Sequence, residues 1–200
     1  MAGVFAELLK KNASGGSIPS RMSEARAWVQ TKATSLMKSP AAVISQAPSS
    51  KLKSTPGGSI GSMVLFQYTA TTAKDLPYWD AFPLVFPFNV DSTGMYGINM
   101  HYLPLGMRAS LMDSLWKLAS GPATDEKTRL NLSYSILRSA ASNQYFKPCV
   151  KHYLNTGLTS NLVSIPAAEW NVALFLPLER FRKASTSQVH QDSRRIIRGR

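Results

Sequence analysis

Cys149 and His152 stand three residues apart in "KPCVKHYL", a spacing at which one helical face can present a thiol and an imidazole together. A thiolate beside a base is a nucleophile, but such pairs come from distant segments and need a third group to orient the base. No orienting group stands near this pair, so a buried thiol beside a surface histidine is expected. His101 in "NMHYLP" alternates with apolar neighbours, the setting of a satisfied structural histidine rather than a metal ligand. Asp75, Asp80, Asp91 and Asp113 lie in unrelated local contexts, and nothing pairs two of them as acid and base. Asp80, set between Trp79 and Phe82, is expected to cap a turn by accepting backbone N–H groups. The histidines, cysteine and carboxylates show no zinc, calcium or two-metal spacing. "GGSIGS" lacks the lysine and spacing of a phosphate-binding loop. The expectation is a protein that is not an enzyme and needs no cofactor.

The segments that carry these residues differ in charge. Residues 1–60 hold eight Lys and Arg against Glu7 and Glu24, and residues 182–200 hold six against Asp192. Residues 61–181 hold nine basic and eight acidic groups, so the net charge of +12 belongs almost wholly to the two ends. All aromatic residues except Phe5 and Trp28 fall in the near-neutral centre. A hydrophobic content of 44% suffices for a packed core. No apolar run approaches the ~20 residues that span a bilayer, and the N-terminus has no signal-peptide pattern. The single cysteine excludes an internal disulfide and fits assembly in a reducing cytoplasm.

Three regions follow. Residues 1–60 read as a basic N-terminal arm, with one amphipathic helix capped by Ser20 and a Ser/Pro/Gly linker after Lys38. The helix stripe is Met22, Ala25, Val29, Ala33 and Leu36. Residues 61–181 read as a folded α+β core, and residues 182–200 as a basic C-terminal tail. Within the core, "SMVLFQYTAT" opens a strand and "PLVFPF" reads as a short edge strand entered and left through proline. "MYGINMHYL" reads as the next strand. Met107, Leu111, Leu115 and Leu118 mark a helix stopped by Gly121, and Thr124 caps a second helix. "KPCVKHYL" is read as a short third helix, and "EWNVALFLPLERF" as the closing strand. The fold class is α+β: a small curved antiparallel sheet or partial SH3-like barrel with two or three packed helices, flanked by basic extensions.

The tail "RKASTSQVHQDSRRIIRGR" has no stripe long enough to fold alone, so disorder is expected until it binds. In an assembly Ile196 and Ile197 would enter an apolar groove, while Arg194, Arg195 and Arg198 pair with carboxylates or phosphates. Tyr78 and Trp79, in "KDLPYWDAFPLVFPF", are the aromatics expected to face a neighbour.

"LPYWDAFPLVFPF", "GMYGINMHYLPLGMRASLMDSLW", "YFKPCVKHYL" and "EWNVALFLPLERFRKAS" together resemble a family of virion proteins from T4-like contractile-tailed bacteriophages, associated with names such as DNA-end protector or unassigned structural protein. The resemblance covers roughly residues 62–193, with Leu105 standing where related chains have a second proline. It implies a virion protein assembled in the host bacterial cytoplasm and no membrane partner. The expected function is a non-enzymatic structural component of the neck, tail or baseplate, docked in a symmetric assembly on other virion proteins through its basic arms. The alternative is a DNA-end-binding protein that caps or protects the packaged genome through non-specific phosphate contacts. Removing residues 1–58 and 184–200 is expected to leave a folded core.

Overall fold

The computed structural model describes residues 4–14, 18–36, 63–119, 146–165 and 169–199. Met63–Leu65 (β1), Leu84–Val90 (β3), Gly94–Asn99 (β4), Val150–Leu154 (β5) and Val163–Ile165 (β6) form one antiparallel sheet in the order β5-β4-β3-β1-β6. Trp79–Asp80 (β2) and Phe181–Arg182 (β7) form a separate antiparallel ribbon. The chain is α+β, and its sheet stays open, with β5 and β6 as edges. Both faces are covered. Met63, Leu65, Leu84, Phe86 and Ile98 alternate onto the face that meets the helices. Val64, Phe66, Val85, Met95 and Tyr153 occupy the other face with the segment after β1. Such a doubly covered sheet explains why its strands read as continuous apolar runs.

"PLVFPF" is not an edge strand. It belongs to β3, which pairs with β1 on one side and β4 on the other. The register shifts between Pro87 and Asn89, from Pro87↔Gly97 to Asn89↔Tyr96. A bulge at the proline removes the need for its missing N–H, which is how a central strand accepts it. Nor is "KPCVKHYL" a helix: a 3-10 turn over Lys147–Cys149 leads directly into β5. Pairing of Val150 with Ile98 and of Tyr153 with Met95 decides that conformation. "EWNVALFLPLERF" does not close the sheet either. It makes one helical turn, Trp170–Ala173, and reaches a strand only at Phe181. Its apolar residues Ala173, Leu174 and Phe175 are buried from that irregular path, while Trp170 Nε1 donates to the Ile165 carbonyl at 2.9 Å.

Four longer helices surround the sheet: Val4–Ser14 (α1), Ile18–Leu36 (α2), Leu105–Ala119 (α3) and Thr186–Ile197 (α4). The Phe5 and Ala6 N–H groups at the start of α1 donate to the two oxygens of Asp113 on α3, at 2.7 and 3.1 Å. A carboxylate there complements the positive end of the helix. Helix α2 starts two residues before the expected cap at Ser20 and rests on the core through Ala25, which packs with Leu176 and Leu178. Glu169 ties it down, accepting from Trp28 Nε1 at 3.0 Å and from Lys32 Nζ at 2.7 Å. No described helix is long and apolar enough to cross a membrane. The linker after Lys38, Gly121 and the helix assigned to Thr124 fall outside the described residues.

The C-terminal segment departs most from expectation. It is helical, with Ser185 Oγ accepting the Gln188 N–H at 3.2 Å as its cap. Val189 and Ser193, one turn apart, are buried at 0% and 1% exposure. A two-residue contact is too short to register as a stripe, yet it suffices when a finished core is there to receive it. Phe5 lies in the same buried cluster as Val189. Cutting at residues 58 and 184 therefore removes core side chains from both ends.

Gly97 sits opposite Pro87 in the middle of the sheet. A Cβ there would lie 2.2 Å from Val85 Cγ1 and 2.9 Å from the Phe86 carbonyl oxygen. Gly97→Ala should cost about 1–3 kcal/mol through overpacking, read as a lower urea midpoint with an unchanged slope.

Candidate nucleic-acid interface

The site is built outward from one buried carboxylate. Asp80, at the end of β2, is 1% exposed. Its oxygens accept from His101 Nδ1 at 2.6 Å, Asn99 Nδ2 at 3.1 Å, the Phe82 N–H at 3.0 Å and the Arg180 N–H at 3.2 Å. Burial alone would raise its pKa; the charge and hydrogen bond of His101, the Phe82 N–H and the Asn99 amide instead hold it below the ordinary value. The turn-capping role expected for Asp80 is thus present, within a larger network. His101 is fully buried, and its Nε2 has no hydrogen-bond partner among the described residues. The Asp80–His101 pair is closed off from solvent and ties the ribbon to the turn after β4.

Arg108 makes the second half of the network. At 0% exposure, it donates through Nε to the Leu103 carbonyl at 2.7 Å and through a terminal nitrogen to the Leu174 carbonyl at 3.1 Å. Its other terminal nitrogen donates to the His101 carbonyl at 3.2 Å and to the Glu179 carboxylate. His190 on α4 also bonds the His101 carbonyl through Nε2 at 2.9 Å, and a carbonyl acceptor requires that nitrogen to carry the proton. Burial would raise Glu179, but the Arg108 charge, with His101 behind it, brings it down to about 2. Burial lowers His190, and Arg108 adds to that.

Two residues that Asp80 holds by their N–H groups, Phe82 and Arg180, reach the surface and line a cleft of about 670 Å³. Arg26 and Gln30 from α2 and Arg182 from β7 complete its polar wall. Among the described residues no carboxylate lines this cleft. Lys183, just beyond it, adopts a left-handed φ of 67° and donates to the Leu76 carbonyl at 3.0 Å and to the Ala73 carbonyl, so its charge is spent internally.

On α4, Gln191, Arg194, Arg195 and Arg198 recur at helical spacing and line one hollow. All three arginines are exposed. Arg195 leans to Asp192 at 3.5 Å; Arg194 and Arg198 have no acidic partner among the described residues. Ile196 is 44% exposed and Ile197 half-buried. Tyr78 and Trp79 are half-buried as well: Tyr78 packs on Tyr102 and Phe181, and Trp79 pairs with Arg182 across the ribbon. Cys149 and His152 do not share a helix face. Cys149 is buried, donates to the Phe146 carbonyl at 2.8 Å, and has its thiol pushed up to about 12 by burial. His152 stacks on Tyr96 with ring centres 4.0 Å apart. No cluster of three His, Cys, Asp or Glu suited to a metal occurs among the described residues.

Arg108, Glu179 and the cleft are not foreseen in the sequence reading. One signal was available: Arg108 lies three and four residues before buried Leu111 and Met112. An arginine on the apolar side of a helix needs internal acceptors.

The pH dependence follows from Glu179. Its folded pKa lies below its unfolded value, so its contribution is complete above about 4.5 and is lost as pH falls toward about 2. Glu179→Gln leaves Arg108 short of its anion and should cost about 3–5 kcal/mol at pH 7. Denaturation of both forms at several pH values should show that difference shrinking steadily below pH ~4.5.

No curated protein and no solved structure matches the chain. A family model described as phage T4 terminal DNA protecting protein matches residues 8–194. That span takes in α2, α3, both β-sheets, the buried network, the cleft and most of α1 and α4, and the chain therefore belongs to the family of the phage T4 terminal DNA protecting protein.

Proposed function

We propose that this chain binds the ends of phage genomic DNA and shields them, using the arginine face of α4 as its main phosphate contact. The carrying observation is Arg194 and Arg198 projecting on one turn-spaced face without acidic partners among the described residues. Arginines in the last turn of a helix also satisfy its dipole, but that effect needs one cation near the terminus, not a row. The face is fixed in direction by the Ser185 cap, by buried Val189 and by His190 on the His101 carbonyl. Arginines carried on an already formed helix need no backbone ordering to meet phosphates. The expected partner is the DNA backbone, with no base readout.

A mobility-shift titration on a blunt linear duplex at several salt concentrations tests this reading. Binding should weaken with salt, and Arg194→Gln with Arg198→Gln should reduce the log–log slope by about 2 while the melting temperature holds. Wild-type protein should also slow exonuclease digestion of that duplex. No binding at low salt would sink the reading.

A second role rests on Ile196, an exposed apolar side chain set among those arginines. It supports docking on a neighbouring virion protein, at the neck, tail or baseplate, alongside DNA contact. Ile196→Ser should leave DNA affinity within about threefold and lower incorporation into particles; normal incorporation would remove the docking role.

A further inference from the structure

We propose that the cleft between α2 and the β2–β7 ribbon receives the terminal, 5′-phosphorylated nucleotide of a DNA duplex. This rests on the DNA-binding reading above and adds what separates an end from the interior of a duplex. The α4 arginines lie on the outside of a helix and suit any stretch of backbone. The cleft is concave, about 670 Å³, within the ~300–1,000 Å³ of small-molecule sites.

Its chemistry matches a chain end in two ways. A terminal phosphate monoester carries close to two negative charges at neutral pH, against one on an internal diester. Arg26, Arg180 and Arg182 all line the cleft, and no carboxylate of the described residues does. Arg26 and Arg182 are exposed, and their guanidinium groups have no hydrogen-bond or ion-pair partner among the described residues. A terminal base also has one face without a stacking neighbour. Phe82, half-buried in the cleft wall, offers a ring for such a face, and Phe181 beside it is held edge-on by Tyr78 and Tyr102. Gln30 and Gln67 add donors and acceptors without a net charge of their own.

The cleft is also held in shape. Asp80 anchors the backbone of both Phe82 and Arg180. Arg180 is further tethered through one terminal nitrogen to the Pro177 and Glu179 carbonyls, at 3.2 and 2.8 Å, which leaves its remaining donors for an anion. The Phe82 and Arg180 part of the wall is thus held in place before any ligand arrives.

Three duplexes of one sequence test the proposal: blunt with 5′-phosphates, blunt with 5′-hydroxyls, and closed at both ends by hairpin loops. Wild-type protein should bind the phosphorylated duplex about tenfold more tightly than the closed one, with the hydroxyl form between. Arg26→Glu and Arg182→Glu should bind all three alike, near the wild-type affinity for the closed duplex. Arg26→Gln and Arg182→Gln, with melting curves matched to wild type, should show the same loss in milder form. Equal wild-type binding to open and closed duplexes overturns this proposal and leaves the DNA-binding reading standing. So does an end preference that survives in all four variants. A wild-type protein that binds none of the duplexes overturns both.

Discussion

The architecture hangs on the Asp80 carboxylate, which one sheet, one ribbon and two turns all use at once. The β2–β7 ribbon has only two residue pairs, far too few to persist by their own hydrogen bonds. Asp80 links that ribbon to the sheet through Asn99, the last residue of β4, and to the following turn through His101. Asn99 in turn donates to the Tyr153 hydroxyl at 2.8 Å, which carries the link across to β5. An anion so placed is stable only because every lone-pair direction meets a donor. Removing any one donor would leave part of a buried anion without its hydrogen bond.

Arg108 works by the same logic with the opposite sign. It gathers carbonyls from residues 101, 103 and 174 and the Glu179 carboxylate, groups that no ladder or helix consumes. The irregular stretch after the Trp170–Ala173 turn can stay buried because a guanidinium answers its carbonyls. Chain ends are treated alike. The first turn of α1 is met by Asp113, and the middle of α4 meets the core through Val189 and His190. A protein whose excess charge lies at its ends thereby keeps part of that charge in a fixed array. For phosphate contact, such an array is worth more than the same arginines on a mobile tail.

Much of the strand content could be read directly from the residues. β1, β4 and the α3 helix follow from branched and aromatic runs and from the apolar spacing of Met107 and Leu111. The three misread segments share a cause. "PLVFPF", "KPCVKHYL" and "EWNVALFLPLERF" each carry a local preference that contacts distant in sequence override: a bulge against Gly97, pairing with β4, and carbonyl capture by Arg108. The arginines of the candidate interface were visible as a charge run, and their spacing on one helix face required knowing that the segment is helical. The cleft could not have been read, because its walls come from residues near 26, 82 and 181, brought together only by the fold.

The burial of Cys149 has a chemical consequence. A thiol becomes reactive toward oxidants and other thiols as its thiolate, at an exposed position. Here the group is enclosed, hydrogen-bonded to its own turn and raised to about 12, so at neutral pH the thiolate is on the order of one part in 10⁵. Two copies of this chain brought side by side would not cross-link through this residue, and oxidants that need a thiolate would find none there.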